Sequence, residues 1–398
     1  MTSTDPFIPF ARPDLTDDEL ARVAAVLQSG WLTSGPEVRA FEQAFARRLG
    51  VAHAVAVSSA TAGLQVTLHA LGVGPGDVVV TTPYTFTATC DAVHGLSAHV
   101  LFADIERGSL NLDPQAVADA VEGLRRRDPA RAARVKAVVP VHVGGLAADL
   151  DGLARVAHHL GVPLVEDAAH ALPCTFRGAP VGAHGHPTVF SFYATKPLTT
   201  GEGGMIVTDD AELARRLGRL RLHGIDRDPW ARGGEGPLAE GDYEVVEPGF
   251  KANLSDVAAA LGLAQLERCD ALHARRAAVA AAYRAAFASD GRLELPAPAR
   301  PGDVHAWHLF PVFVDAGKRD RFRAALAARG VASSLHYRSL HLHRAYRERY
   351  GLAPEALPVA LERSLREVSL PIWPGLTDAQ VERVIQAVPA ALAEAERG

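Results

Sequence analysis

Residues 191–204, SFYATKPLTTGEGG, place one lysine between an apolar, strand-like run and a Gly/Thr-rich turn. Lysine is scarce in this chain. Only Lys136, Lys196, Lys251 and Lys318 occur among 41 basic residues, the rest being Arg. A composition so biased keeps Lys where Arg cannot serve. Arg stays protonated, whereas a desolvated Lys amine can lose its proton and attack a carbonyl. Lys196 is flanked by Phe192, Tyr193, Pro197 and small residues, with no charged neighbour to solvate it. The alternative for the same stretch is a surface lysine closing a strand.

Outward from this segment the chain alternates short Val-rich runs with helical patterns. Strands are predicted at 54–57, 77–83, 99–105, 135–145 and 163–171, and at 186–194 and 203–210 on either side of Lys196. Near-continuous apolar strands separated by helices indicate a mostly parallel sheet covered on both faces. Residues 58–61 form a small polar turn between a strand and a helix, a geometry that presents free backbone N–H groups to an anion. The Gly- and acid-rich stretch 226–249 reads as a long loop. A long Ala-rich helical run is expected from Ser255 to about Phe287, followed by a smaller α+β pattern with strands at 305–314 and 331–337. The predicted division is a large domain over 30–270 and a small one from 1–29 with 271–398.

At 398 residues and 48% hydrophobic the chain can bury a large core. Its net charge of −5 carries no basic block or arm, so nucleic acid is not an expected partner. No apolar run approaches the ~18 residues of a membrane span, and the start MTSTDPFIPF lacks a signal pattern. Three separated cysteines without CxxC read as reduced thiols, and a cytoplasmic location is expected.

Ligands of open α/β sheets sit beyond the carboxyl ends of the strands. Here those ends carry Ser58–Thr61, Thr82–Phe86, His142–Gly144, Asp167–His170 and Ser191–Lys196. Two chemistries fit an amine, a carboxylate, an imidazole, hydroxyls and an aromatic ring: pyridoxal phosphate (PLP) chemistry with a Schiff-base lysine, or a cofactor-free lysine aldolase. PLP needs a carboxylate for its pyridine nitrogen, which Asp167 can supply. It needs N–H and hydroxyl groups for its phosphate, for which Ala60, Thr61 and Ser191 are candidates. It also needs a flat apolar partner, and Phe86 is available. No metal site is expected.

The segments VEDAAHA, SFYATKPLTTGEGG and GFKANLSDVAAALGLAQL, in that order, resemble the DegT/StrS family of PLP-dependent sugar aminotransferases. SGWLTSGPEVRAFE, SSATAGLQ, TTPYTFTATCDAV, PVHVGGLAADL, HAWHLFPV, SSLHYRSLH and SLPIWPGLT extend the likeness over nearly the whole chain. Within the family, GWLTSGP, SSATAGL, GFKANL and HAWHLF are most similar to the UDP-4-amino-4-deoxy-L-arabinose aminotransferase type. The resemblance implies fold type I (aspartate aminotransferase-like), with a large mostly parallel sheet domain and a small α+β C-terminal domain. It implies Lys196 as Schiff-base lysine, Asp167 at the pyridine nitrogen, His170 near the PLP hydroxyl, Phe86 on the ring, and Ala60, Thr61 and Ser191 on the phosphate. Lys251 and Asn253 match a segment that the family lends to the neighbouring subunit, implying a homodimer with shared active sites. Branches that dehydrate their sugar carry His in place of the lysine, so Lys196 points to transamination.

The implied reaction moves an amino group from glutamate to a nucleotide-diphosphate-linked keto-sugar, at C4, in antibiotic or surface-glycan biosynthesis. The alternatives are a 3-keto sugar, a keto-cyclitol, or a non-catalytic PLP-binding regulatory relative. Pro197, Pro173 and Ser339 depart from the family pattern, as does Ala60 where many relatives have Gly. None of these removes a catalytic group.

Overall fold

A Val-rich strand has no polar face to show water, so its neighbours must cover it on both sides. Val78, Val79 and Val80 are at most 1% exposed. The computed structural model describes residues 6–226 and 243–397. Its large sheet uses β1 (His53–Val57), β2 (Val78–Thr81), β3 (His99–Phe102), β4 (Val135–Val139) and β5 (Glu166–Asp167). A separate small hairpin, β6 (Thr175–Phe176) and β7 (Ala179–Pro180), comes next, then β8 (Thr188–Ser191) and β9 (Gly204–Thr208).

The ladders run β3-β2-β4 and β5-β8-β9-β1, and the parallel bridges Val138–Leu164 and Val141–Asp167 join them into one sheet. Within these ladders every pairing is parallel except those of β9, which runs antiparallel to both β8 and β1. The predicted α/β class with a mostly parallel sheet is what forms. The carboxyl ends of β1, β4, β5 and β8 therefore share one edge.

Two local devices bring the ends of β1 and β8 together. Gly204 pairs with Val57 on one side and Ser191 on the other. A Cβ there would stand 2.8 Å from the Ala60 amide nitrogen and 2.8 Å from the Phe190 carbonyl oxygen, so the close approach requires glycine. Phe190 and Phe192 alternate with Ser191 and pack on Phe45 of the helix Pro36–Leu49, with ring centroids 5.2 and 5.6 Å apart at steep angles. Edge-on aromatic pairs of this kind add ~0.5–1.5 kcal/mol beyond their buried area. With both phenylalanines turned to the helix layer, Ser191 faces the other way.

The smaller unit is built on β10 (Phe310–Phe313) and β11 (Glu367–Leu370), an antiparallel pair extended by the bridges Glu294–Phe313 and Ser334–Ser369. Ile8 bridges Val331 and shares the apolar core of this unit with Phe310, Val312 and Val384. The helix Asp17–Ser29 packs on the helix Asp256–Glu267.

Three sequence expectations are corrected. The run 255–287 is two helices, Asp256–Glu267 and Cys269–Phe287, meeting at Arg268. Strand 305–314 is regular only over Phe310–Phe313, because Trp307 takes a φ of 49° and the amides of Ala306, His308 and Leu309 donate to the Gly145 and Gly144 carbonyls. Residues 331–337 pair only through the single bridges at Val331 and Ser334. Of the predicted loop 226–249, residues 227–242 lie outside the described residues.

Candidate active site

β5 ends in two acids, and strand alternation sends them to opposite faces. Glu166 meets His142, whose Nε2 lies 2.8 Å from its carboxylate, and both side chains are fully buried. The Ala148 amide donates to His142 Nδ1 at 3.1 Å, so the imidazole proton sits on Nε2 and is given to Glu166. Asp167 turns the other way. It accepts from Thr89 Oγ1 at 2.8 Å and from the Ala169 amide at 3.1 Å. Thr89 in turn lies 2.9 Å from Thr85 Oγ1, which holds its rotamer. Burial raises the Asp167 pKa, while these hydrogen bonds and the charge of Lys196 oppose the rise. Among the described residues no salt bridge satisfies this carboxylate. A buried acid with neutral donors and no ion pair among the described residues is suited to a cationic ligand atom.

After β8 the chain folds back on Phe192. Its carbonyl accepts from the Thr200 amide at 2.9 Å and from Thr199 Oγ1 at 3.2 Å, and the Lys196 amide donates to the Tyr193 carbonyl at 2.9 Å. The Lys196 amine itself has no hydrogen bond or ion pair among the described residues. Loss of solvent pushes its pKa from 10.5 down to about 8, with Asp167 pulling in the opposite direction. That shift raises the neutral, nucleophilic fraction near pH 7 roughly 300-fold.

His170 accepts from the Gly144 amide through Nδ1 at 3.2 Å, and its Nε2 lies 3.1 Å from the Tyr337 hydroxyl. The His308 ring packs 4.4 Å from it. Gly145, at φ 93°, lets the 305–309 segment dock: a Cβ there would stand 2.7 Å from Ala306 Cβ. Burial, reinforced by Lys196, holds the His170 and His308 pKa values well below 6.5 and pushes His336 down to about 3. The lysine thus faces neutral imidazoles.

The helix Ala60–Ala70 starts at the Ser59 cap, whose side chain accepts from the Ala62 amide. The Ala60 and Thr61 amides precede the first intrahelical bonds and are free for an anion. Ser191 stands beside them across Gly204. Phe86, predicted to stack on a ring, is 61% exposed, so it is not packed into the core. Lys251 bonds to Asn253, which bonds Ser34 Oγ at 2.7 Å. Neither residue hydrogen-bonds to Asp167, His170 or Lys196 within the chain. Asp256 receives the Gly35 amide at 2.7 Å and the Val38 amide at 3.0 Å, tying GWLTSGP to the GFKANLSD segment.

The sequence reading missed Thr89 and Tyr337. Thr89 stands four residues after Thr85, a spacing that could have suggested a shared helical face. Tyr337 carries no local signal.

A buried acid on β11 provides a prediction of its own in the smaller unit. Glu367, fully buried, accepts from the His336 amide at 2.7 Å and from Ser369 Oγ at 2.5 Å. Burial lifts its pKa from 4.5 to about 7 against those hydrogen bonds. The folded chain therefore holds this proton more tightly than the unfolded one. The associated stability, about 3 kcal/mol, is full below pH ~4.5 and lost as pH rises through ~7. Urea unfolding should show Glu367→Gln gaining on the parent protein across that window. A stability difference independent of pH would refute the assignment.

The donor set fits PLP: a desolvated amine, an unpaired buried acid, two free helix amides beside a hydroxyl, and an exposed aromatic ring. Among the described residues no group of His, Cys, Asp and Glu could hold a metal ion, and no helix is long and apolar enough to cross a membrane. Residues 13–389 match the model of the DegT/DnrJ/EryC1/StrS aminotransferase family. Spr1654 from Streptococcus pneumoniae, solved in its PLP form, is 30% identical over 98% of this chain and 99% of its own, with a TM-score of 0.88. The aminotransferase TlmJ from Streptoalloteichus hindustanus is 35% identical over 97% of this chain and 99% of its own, at TM-score 0.86. The sugar aminotransferase CalS13 from Micromonospora echinospora is 31% identical over 96% and 99%, at TM-score 0.84.

Proposed function

This chain belongs to the DegT/DnrJ/EryC1/StrS aminotransferase family, as a fold-type-I, PLP-dependent sugar aminotransferase, and we propose that it moves an amino group from glutamate to the C4 ketone of a nucleotide-diphosphate-linked sugar. The observation that carries the reading is Lys196, a desolvated amine with a pKa near 8 facing a buried acid, Asp167. Family membership removes the cofactor-free aldolase reading, and Lys196, Asp167 and the phosphate-binding groups occurring together weigh against a non-catalytic relative. The C4 position, the nucleotide and the donor rest on the likeness of GWLTSGP, SSATAGL, GFKANL and HAWHLF to one branch of the family.

When bound, PLP supplies an electron sink for the carbon next to the transferred nitrogen. The rest is the work of the chain. Asp167, held in place by Thr89 and the Ala169 amide, would keep a positive charge on the ring nitrogen. The Ala60 and Thr61 amides with Ser191 Oγ would hold the phosphate, and Phe86 would stack on the ring. Lys196 Nζ, partly neutral near pH 8, takes the proton from the donor's Cα and later delivers one to the sugar carbon. His170 stays neutral and orients its neighbours without competing for that proton. Lys251 and Asn253 reach the phosphate of a second copy of the chain, so each site in a homodimer is shared.

The test is a pair of half-reactions. Enzyme converted by glutamate to its pyridoxamine form, then freed of donor, meets nucleotide-linked 4-keto sugars, 3-keto sugars and a keto-cyclitol. The nucleotide-linked 4-keto sugar is expected to react at least about tenfold faster than the others. Faster conversion of the keto-cyclitol or 3-keto sugar would overturn the C4 proposal.

A further inference from the structure

The hydrogen bonds around His170 have a direction. The Gly144 N–H points at Nδ1 from 3.2 Å, so Nδ1 must offer its lone pair. The imidazole is buried and neutral, so its one proton sits on Nε2. Nε2 lies 3.1 Å from the Tyr337 oxygen. His170 is therefore the donor of this bond and Tyr337 the acceptor. The Tyr337 O–H proton remains unspent, and among the described residues nothing else accepts it.

The hydroxyl is held in position. The Tyr337 ring stacks on His170 at 6.2 Å and 18°, and meets the buried Tyr84 ring at 6.3 Å and 75°. Tyr337 comes from the segment that follows the Ser334–Ser369 bridge of the small sheet, while His170 follows β5 of the large one. The titratable groups that act on the hydroxyl are Asp167, Glu367, His170 and Tyr84, with His336 beside the Tyr337 ring and the Lys196 charge acting on His170. Burial, then the charges of Asp167 and Glu367, raise the phenol pKa, so it keeps its proton throughout the working range.

We propose that Tyr337 is a dedicated hydrogen-bond donor to a ligand oxygen at the Lys196 site, its polarity fixed by the Gly144 amide through His170. The proposal rests on the PLP-aminotransferase reading. A charged or polarised oxygen could come from either of two sources, the phenolic oxygen of the cofactor or the keto oxygen of the sugar. A hydrogen bond to such an oxygen is stronger than a neutral one and has the largest effect where negative charge resides or develops.

Tyr337→Phe keeps the ring packing and removes only the hydroxyl. The holoenzyme is titrated by its visible absorbance across pH, and both half-reactions are timed. With the cofactor as acceptor, the absorbance midpoint should rise by about one pH unit, because an unsupported phenolate grips the neighbouring lysine-bound proton more tightly. With the sugar as acceptor, the titration should be unchanged, and the sugar half-reaction should fall on the order of 100-fold while the glutamate half-reaction is spared. Either result supports the donor role. A folded, PLP-loaded variant that matches the parent protein in all three measurements overturns it.

If Tyr337→Phe does not fold, 3-fluorotyrosine at position 337 keeps the shape and acidifies the hydroxyl. The absorbance midpoint should then fall, or the sugar half-reaction alone should change. No change in either would sink the proposal. A parent protein that never develops the cofactor absorbance would instead defeat the PLP reading itself.

Discussion

Lys196→Ala is expected to lose transamination by at least about 10⁴-fold, with PLP still bound noncovalently through its phosphate and ring. The magnitude follows from two losses in one side chain. The substitution removes the nucleophile that fixes the cofactor, and it removes the base that moves the proton between carbon atoms. Arg cannot replace it, because its guanidinium stays charged where the Lys196 amine falls to a pKa of about 8. Borohydride reduction followed by peptide mass spectrometry should find the pyridoxyl adduct on Lys196 in the parent protein and on no residue of the variant. Sustained turnover by Lys196→Ala would remove the lysine from the mechanism.

The same variant tests the shared site. If Lys251 serves the other copy, a Lys196→Ala chain mixed with a Lys251→Ala chain forms heterodimers with one intact site. Random reassortment then restores about a quarter of the sites. No recovery after verified exchange would confine Lys251 to its own chain.

The sheet was legible because buried parallel strands write themselves as Val runs, VVVT at Val78–Thr81 being the plainest. Lys196, Asp167 and the Ser59 turn could be placed on its carboxyl edge for the same reason. The arrangement of their supports was not legible. Thr89 reaches Asp167 across 78 residues and Tyr337 reaches His170 across 167, and neither contact leaves a local pattern. The choice of Asp167 over Glu166 was legible through the family motif, but its counterpart was not: His142 claims Glu166 from the opposite face. The small unit read less well than the large one. Its segments at 305–309 and 331–337 are shaped by docking against Gly144, Gly145 and Ile8, partners far away in the chain.

Asp167→Asn is the sharper test of electrostatics, because it changes charge and little else. Asn keeps an oxygen that can accept from Thr89 or the Ala169 amide, so the pocket should stay closed around the same shape. What disappears is the negative charge that would hold a proton on the ring nitrogen. In the parent protein, burial raises the Asp167 pKa, and Thr89, Ala169 and Lys196 restrain it. A cationic ring nitrogen adds a far closer counter-charge, so cofactor and carboxylate stabilise each other's charged forms. Removing one charge leaves the other without its partner, and the ring becomes a neutral, weaker electron sink. Both half-reactions are therefore expected to slow by about 10²–10³-fold, the range for losing one preorganised electrostatic contact. The lysine–cofactor bond should still form, since Lys196 keeps its desolvated site. Capture on Lys196 by borohydride with rates near the parent's would show that the ring charge is dispensable. Loss of capture would instead place Asp167 among the residues that hold the pocket together.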